Sequence, residues 1–311
     1  MKDLLFHFGI TLGKRYTKKQ KAWFLEEAAK EAVSQGWKTE LLKHKTKMGQ
    51  SFHLSIGNVR SAQWVLIAAY DTPSKLLLPK TLYYPFKPER NLKTDSQNLI
   101  ASVLISFGIL TALYLLLTTA SNQAPAIRIS IWIGSFVAFL FLFKLFSGFA
   151  NRYNHNRNSA SIALMLDLLK EPSLKNKLAL IFVDKSVVGI EGLKELRDMN
   201  LIRPSASTLI LDCLASSPTL VLACSQNQEQ QAQALARSIK TEVFVRLFSE
   251  ESSLSHAFSM FPQGMMMVAG ERLGKDLVVR HTRTKKDYDV NIERLEDIRH
   301  GLLTAIRGTK S

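Results

Sequence analysis

Four residues able to bind a metal or move a proton fall at the ends of apolar runs. Asp71 closes "WVLIAAYD", Asp184 closes "KLALIFVD", Asp212 closes "STLILD" and His281 closes "LVVRH". Short apolar runs of this kind are buried strands, and in sheets covered by helices the chemistry gathers at the carboxyl ends of strands. Carboxylates and imidazoles there hold a divalent cation and let it activate water. A single acid at a strand end is more often a cap for the next helix. Three acids and a histidine at the ends of one sheet point instead to a metal-assisted hydrolase or its descendant. One residue disagrees. The stretch "NRNSASIALMLDLLK", Asn156 to Lys170, reads as the start of a helix serving such a site, yet it carries Arg157 where an acid belongs.

The elements that must position these residues follow from periodicity. An amphipathic helix over about 18–35 is closed by Gly36, and three strand-like runs follow: "WKTELLKH", "SFHLSIG" and "WVLIAAY". After about residue 150 the pattern alternates. A helix from Ser159 to Lys170 precedes "KLALIFVD", and a helix over Glu191–Met199 precedes "STLILDCL" and "TLVLACS". A helix over Glu229–Ser238 then leads to "EVFVRLF", "GMMMVAG" and "LVVRHT", and a last helix runs Asn291 to Arg307. This predicts an α/β fold with a mixed, mainly parallel sheet and helices on both faces. The first piece cannot bury "WVLIAAY" alone, so 1–95 and 150–311 are expected to form one discontinuous domain.

Between those pieces lies an inserted hairpin, 97–149. Leu99–Thr119 and Ile127–Phe149 are each long and apolar enough to cross ~30 Å of hydrocarbon as a helix. The first span has no charge; the second has Arg128 and Lys144 near its ends, where long side chains reach headgroups. The loop "TASNQAPAIR" has one basic residue, whereas Lys80, Lys87, Arg90 and Lys93 precede the hairpin and Arg152 and Arg157 follow it. The positive-inside rule therefore expects a cell-membrane protein with two spans and both termini and the soluble domain in the cytoplasm. The N-terminal apolar run is too short for a signal peptide. Cys213 and Cys224 fit a reducing compartment. The net charge of +15 is scattered, without an aromatic-basic motif, so the anionic inner leaflet is the expected partner and nucleic acid is not.

Residue by residue, the chain resembles the co-catalytic di-zinc aminopeptidase family, which includes bacterial leucine aminopeptidases, glutaminyl cyclases and the transferrin-receptor ectodomain. The family strand ending in His-x-Asp resembles "AAYD", with Ala69 at the histidine and Asp71 at the aspartate. "NRNSASIALML" resembles the family's metal helix and puts Arg157 at the metal-bridging aspartate. "FVDKSVVGIEGL" keeps the family glycines as Gly189 and Gly192 but has Ser186 and Val187 at the paired glutamates. "LILDCLA" puts Asp212 at the next aspartate ligand and "VVRHT" puts His281 at the last histidine, while "SLSHAF" with His256 loosely resembles a Ser-Asp-His segment. The match covers most of the soluble part in order.

The resemblance implies a peptidase-like fold whose two zinc ions would be held at positions 69, 157, 187, 212 and 281, with the general base at 186. Three of the five ligand positions, Ala69, Arg157 and Val187, hold no metal donor. Two dications about 3.5 Å apart repel by roughly 20 kcal/mol at an effective dielectric of 20, so a bridging anion is indispensable. Arg157 adds a cation that deprotonation cannot remove, with repulsion on the order of 10 kcal/mol against one dication. The expectation is thus a pseudoenzyme: a membrane-anchored, catalytically inactive aminopeptidase-like protein without cofactor. It would serve as a binding or accessory subunit of a membrane complex, with an integral-membrane or peptide partner and a retained concave, peptide-shaped pocket. Asp71, Arg157, Asp212 and His281 would mark the vestigial site, Arg157 pairing with Asp212 or Asp71 in place of zinc. The alternative is a membrane-tethered metallopeptidase with a rebuilt zinc site on the surviving Asp71, Asp212 and His281.

Overall fold

Strand Trp64–Ala69 (β3) is apolar at all six positions and buried at five, with Trp64, Leu66 and Ala68 in one apolar layer and Val65 and Ile67 in the other, so both its faces are covered. The computed structural model, which describes residues 1–46, 49–77, 82–120, 122–249 and 256–308, places it at the centre of a single mixed sheet. The remaining strands are Thr39–Thr46 (β1), Gly49–Ile56 (β2), Leu178–Val183 (β4), Ser207–Asp212 (β5), Thr219–Ser225 (β6), Val243–Phe248 (β7), Gly264–Leu273 (β8) and Asp276–Val278 (β9). Their order is β1-β2-β4-β3-β5-β8-β6-β7, with β9 on β8. The centre, β4-β3-β5-β8, is parallel. The β1-β2 hairpin joins β4 antiparallel, β6 joins β8 antiparallel, and β7 returns parallel to β6.

Strands from both sides of the apolar insertion thus alternate in one sheet, with β3 hydrogen-bonded between β4 and β5. Two apolar layers cover it. One gathers helices Lys2–Phe6 (α1), Lys18–Ser34 (α2), Ala160–Leu168 (α5), Glu229–Ser238 (α7) and Ile292–Gly308 (α8) around Phe24, Phe182 and Leu164. The other holds helix Glu191–Asp198 (α6) around Ile181, Val183 and Phe258. α2 starts at a capping box, with Thr17 Oγ1 accepting from Gln20 N and the Gln20 side chain accepting from Thr17 N. α6 comes very close to the end of β4: a Cβ on Gly192 would stand 1.7 Å from the Asp184 carbonyl oxygen, so only glycine fits there.

The two apolar stretches form long helices, Pro88–Ala120 (α3) and Pro125–Ser147 (α4), packed on each other and otherwise largely exposed. Both are long and apolar enough to cross a membrane. α3 begins eleven residues before the apolar stretch at Leu99. At 1.5 Å per residue its 33 residues reach about 50 Å, well beyond ~30 Å of hydrocarbon. Its first turns are polar and tied to the sheet-bearing part. Asn91 holds both backbone groups of Tyr84 at 2.9 Å, and Asp95 makes two 2.8 Å bonds to the Arg283 guanidinium. α4 stops two residues earlier than the apolar pattern, at Gly148. That residue has φ +75°, and a Cβ on it would meet the Tyr16 hydroxyl at 2.6 Å.

Because the root of α3 is bonded to the sheet-bearing part, an excision must spare it. Replacing 104–141 by a short Gly/Ser linker is expected to give a detergent-free, monodisperse protein that unfolds cooperatively in a single denaturant transition. Circular dichroism through a urea series measures this; aggregation of the excised protein would contradict it.

Candidate functional site

The parallel strands β3, β4 and β5 end side by side: Asp71 lies two residues beyond β3, Asp184 directly follows β4, and Asp212 is the last residue of β5. Two sharp turns follow directly. Lys185 and Cys213, both non-glycine, sit at φ +52° and +50°, a left-handed conformation that such residues adopt only when their surroundings hold them there. The turn at Lys185 presents the Ser186 N–H to Asp71 Oδ1 at 3.2 Å. The turn at Cys213 leaves its thiol donating to Asp212 Oδ1 at 3.2 Å.

Arg157 enters from a π-helical turn, His155–Ser159, that opens α5. Only 2% of it is exposed. One guanidinium nitrogen donates to Asp212 Oδ1 and the other to the backbone carbonyl of Val187. The guanidinium carbon lies 3.8 Å from the centre of the Tyr83 ring, in cation–π contact, and the Tyr83 hydroxyl donates to Asp212 Oδ2 at 2.6 Å. Both oxygens of Asp212 are therefore engaged. Burial opposes the charge on Arg157, but the surrounding groups, Asp212 first and then Tyr83, Cys213 and Asp71, together outweigh it and drive its pKa further up. Burial pushes the Tyr83 hydroxyl and the Cys213 thiol well above their ordinary ranges, so both remain protonated donors. Beneath the guanidinium, the backbone N–H of Arg157 donates to Asp287 Oδ2 at 3.4 Å, placing a buried carboxylate against the opening turn of the helix.

Asp71 forms a second, adjoining group. Burial, then the neighbouring Asp184, raise its pKa to about 6 against the opposing pull of Lys21. Lys21 Nζ bonds Asp184 Oδ1 at 2.5 Å, and the Asp184 N–H donates to Nδ1 of buried His53 at 3.1 Å. The Asn158 side chain donates to the Asp71 carbonyl at 2.6 Å, which ties the α5 end to β3. The nearby Arg15 is wholly buried and donates to the carbonyls of Phe8, Leu12 and Tyr70 and to Asn158 and Ser159.

Of the marked positions, Arg157 and Asp212 are in direct contact and Asp71 lies alongside. His281 does not join them. It follows β9, which pairs only with the far end of β8, and its side chain is exposed on a residue at φ +63°. His256 packs instead against Phe86, Phe248 and Phe258, and Ser253–Ser255 of "SLSHAF" lie outside the described residues. His155 packs edge-on against Tyr288 at 4.2 Å, and burial pushes its pKa down to about 4, so it is neutral. Among the described residues, no three His, Cys, Asp or Glu side chains gather as a metal-ligand set.

The expected peptide-shaped pocket over the strand ends is nearly closed. The segment 82–91 crosses it, pinned by backbone bonds of Tyr83 with Val279 at 2.8 and 3.0 Å. Tyr83, Pro85 and Asn91 leave a cavity of about 30 Å³ above Ser186 and Asp212, room for a water or two and not for a peptide.

No protein-family profile and no curated protein sequence matches the chain. Solved structures do. A glutaminyl cyclase from Tannerella forsythia superposes with a TM-score of 0.59 at 10% identity, covering 100% of this chain and 99% of its own. A leucine aminopeptidase precursor from Bacteroides thetaiotaomicron gives 0.55 at 11% identity, covering 99% and 94%. An aminopeptidase from Legionella pneumophila gives 0.52 at 12% identity, covering 98% of this chain and 69% of that one. The fold is that of the aminopeptidases and glutaminyl cyclases.

Two outcomes follow for this site. Arg157→Ala strands Asp212 in a buried setting and is expected to cost ~3–5 kcal/mol in a urea titration, unrelieved by added zinc. Asp71 binds its proton more tightly folded, at about 6, than an unfolded aspartate does near ~3.9. The native state then holds more protons across that window, so stability falls as pH rises through it and stays lower above it. Asp71→Asn should flatten the melting temperature between about pH 4 and 6 and raise it at pH 7, as differential scanning calorimetry would read.

Proposed function

We propose that this chain is a membrane-anchored, catalytically inactive aminopeptidase-like protein that acts as a binding or accessory subunit of a membrane complex. One observation carries the proposal: the position matching the family's metal-bridging aspartate holds Arg157, and its guanidinium is bonded to Asp212, the surviving ligand position.

The residues present do not fit a two-zinc centre. Ala69 offers no donor. Val187 offers a backbone carbonyl that is already taken by Arg157, and both oxygens of Asp212 are hydrogen-bonded within the protein. A dication beside Arg157 would meet a fixed positive charge with no bridging anion between them. Ser186, at the position of the general base, donates its hydroxyl to the Asp184 carbonyl at 3.3 Å and cannot accept a proton at neutral pH as a carboxylate would. The strap over the strand ends removes the space a peptide substrate would need. Together these features support a protein whose surface, and not its old cleft, meets a partner.

The membrane part of the reading rests on α3 and α4, on which apolar side chains such as Phe107, Phe136 and Phe143 are more than 60% exposed. Exposed apolar surface on this scale marks a lipid or protein contact. With basic residues on the outer flanks of both spans, the sheet-bearing part and both termini lie in the cytoplasm.

Protein purified from cells in mild detergent is expected to contain no stoichiometric zinc by elemental analysis and to show no chelator-sensitive release of an aminoacyl chromophore. Arg157→Asp should gain neither property, because Ala69, Ser186 and Val187 are unchanged. Bound zinc with chelator-sensitive cleavage in the natural sequence would overturn inactivity. For topology, a cysteine placed at Asn122 should be labelled by an impermeant reagent in intact cells and one at Lys240 should not; labelling of Lys240 from outside would reverse the orientation.

A further inference from the structure

The root of the hairpin is a built junction with a crevice in it. The Lys75 N–H donates to the Phe149 carbonyl at 2.6 Å, Ser74 and Ala150 form an isolated bridge, and the Tyr16 hydroxyl donates to the Ser147 carbonyl at 3.1 Å. Between this junction and α3 lies a cavity of about 150 Å³, roughly five times the liquid volume of a water molecule. Its lining is amphipathic: Leu99, Leu145 and Phe149 are apolar, and Tyr16, Ser74 and Asn98 are polar.

Charge at this crevice is one-sided. Lys75 lines it and is exposed, and the Lys144 ammonium lies 5.7 Å from the centre of the Phe149 ring. The carboxylate in the wall, Asp95, is neutralised by its paired bonds to Arg283. The depth is equally specific. Phe146, in the exposed apolar band of α4, lines the crevice together with Asp95 and Asn98 from the polar first turns of α3. An amphipathic, positively charged opening at the boundary between an apolar band and a polar domain matches one ligand chemistry: a phosphodiester on a glyceride.

We propose that this crevice binds an anionic phospholipid of the cytoplasmic leaflet, with the phosphate between Lys75 and Lys144 and the upper acyl carbons against Leu99 and Leu145. The proposal rests on the reading of α3 and α4 as membrane spans. Bound there, the lipid would fix the hairpin root against the loop 74–77, and through the Asp95–Arg283 pair it would steady the strap that covers Arg157.

The test uses the full-length protein reconstituted into nanodiscs of equal phosphatidylglycerol and phosphatidylcholine, then extracted mildly and read by native mass spectrometry for retained lipid. The natural sequence should retain phosphatidylglycerol above its bulk share. K75S and K144S should each weaken that retention by roughly fivefold, with an unchanged melting temperature, and the control pair K43S/K45S on β1 should leave it intact. Equal retention in K75S/K144S, or equal loss in the control, would overturn the lipid site. Displacement of the retained lipid by inorganic phosphate alone would replace it with a free-phosphate site. Flotation with phosphatidylcholine vesicles is measured separately. Flotation without phosphatidylglycerol enrichment overturns the lipid site alone, whereas absence of flotation overturns the membrane reading itself.

Discussion

The pair between Arg157 and Asp212 is the constraint around which the strand ends are arranged. Removing both charges from water costs several kcal/mol each, and Coulomb attraction offsets this only when the remaining donors and acceptors are also satisfied. They are satisfied here by the Tyr83 ring and hydroxyl, the Val187 carbonyl and the thiol of the adjacent Cys213, while Asp287 accepts from the backbone N–H of Arg157 at the helix start. The guanidinium holds the residues that follow β4, the end of β5 and the start of α5 at one point, and it is covalently part of the chain.

The strap shares in this pair: Tyr83 covers the guanidinium as a cation–π platform and donates a hydrogen bond to Asp212. The same segment runs straight into α3 at Pro88 through Asn91. The hairpin is therefore anchored over the strand ends. Packing at the strand ends and the attitude of the apolar helices are coupled by a few polar contacts and not by a flexible linker.

Much of this was legible in the residues. The runs that became β3, β4 and β5 are apolar throughout because they are buried on both faces, and α7 matches its expected bounds because Gln228–Ser238 carries a clean amphipathic period. Arg157 and Asp212 were marked by motif position, and the ion pair between them was one of two expected pairings. Tyr83 was hidden: "TLYYPFKPE" reads as a loop punctuated by two prolines, and the acid that Tyr83 binds is 129 residues away. Arg15 stands next to Lys14 in a basic stretch, yet it is fully buried and donates five hydrogen bonds to residues near and far. Asp287 was masked in the same way by the basic loop before it. His281 misled in the other direction. Its motif position suggests a place at the site, but it follows a three-residue antiparallel strand and its side chain is in solvent. Local pattern reports burial and period well, and it reports poorly which distant side chain will satisfy a buried charge.

A double-mutant cycle on the pair tests the central claim most directly. Arg157→Met, Asp212→Leu and the combined variant are compared by urea unfolding of the full-length protein in one detergent. If the pair holds the strand ends together, each single change leaves a buried charge unpaired. The combined variant should then be far less destabilised than the sum of the two, with a coupling of about 2–3 kcal/mol. Additivity to within about 0.5 kcal/mol would show that the two residues do not act as a unit, and would contradict the account.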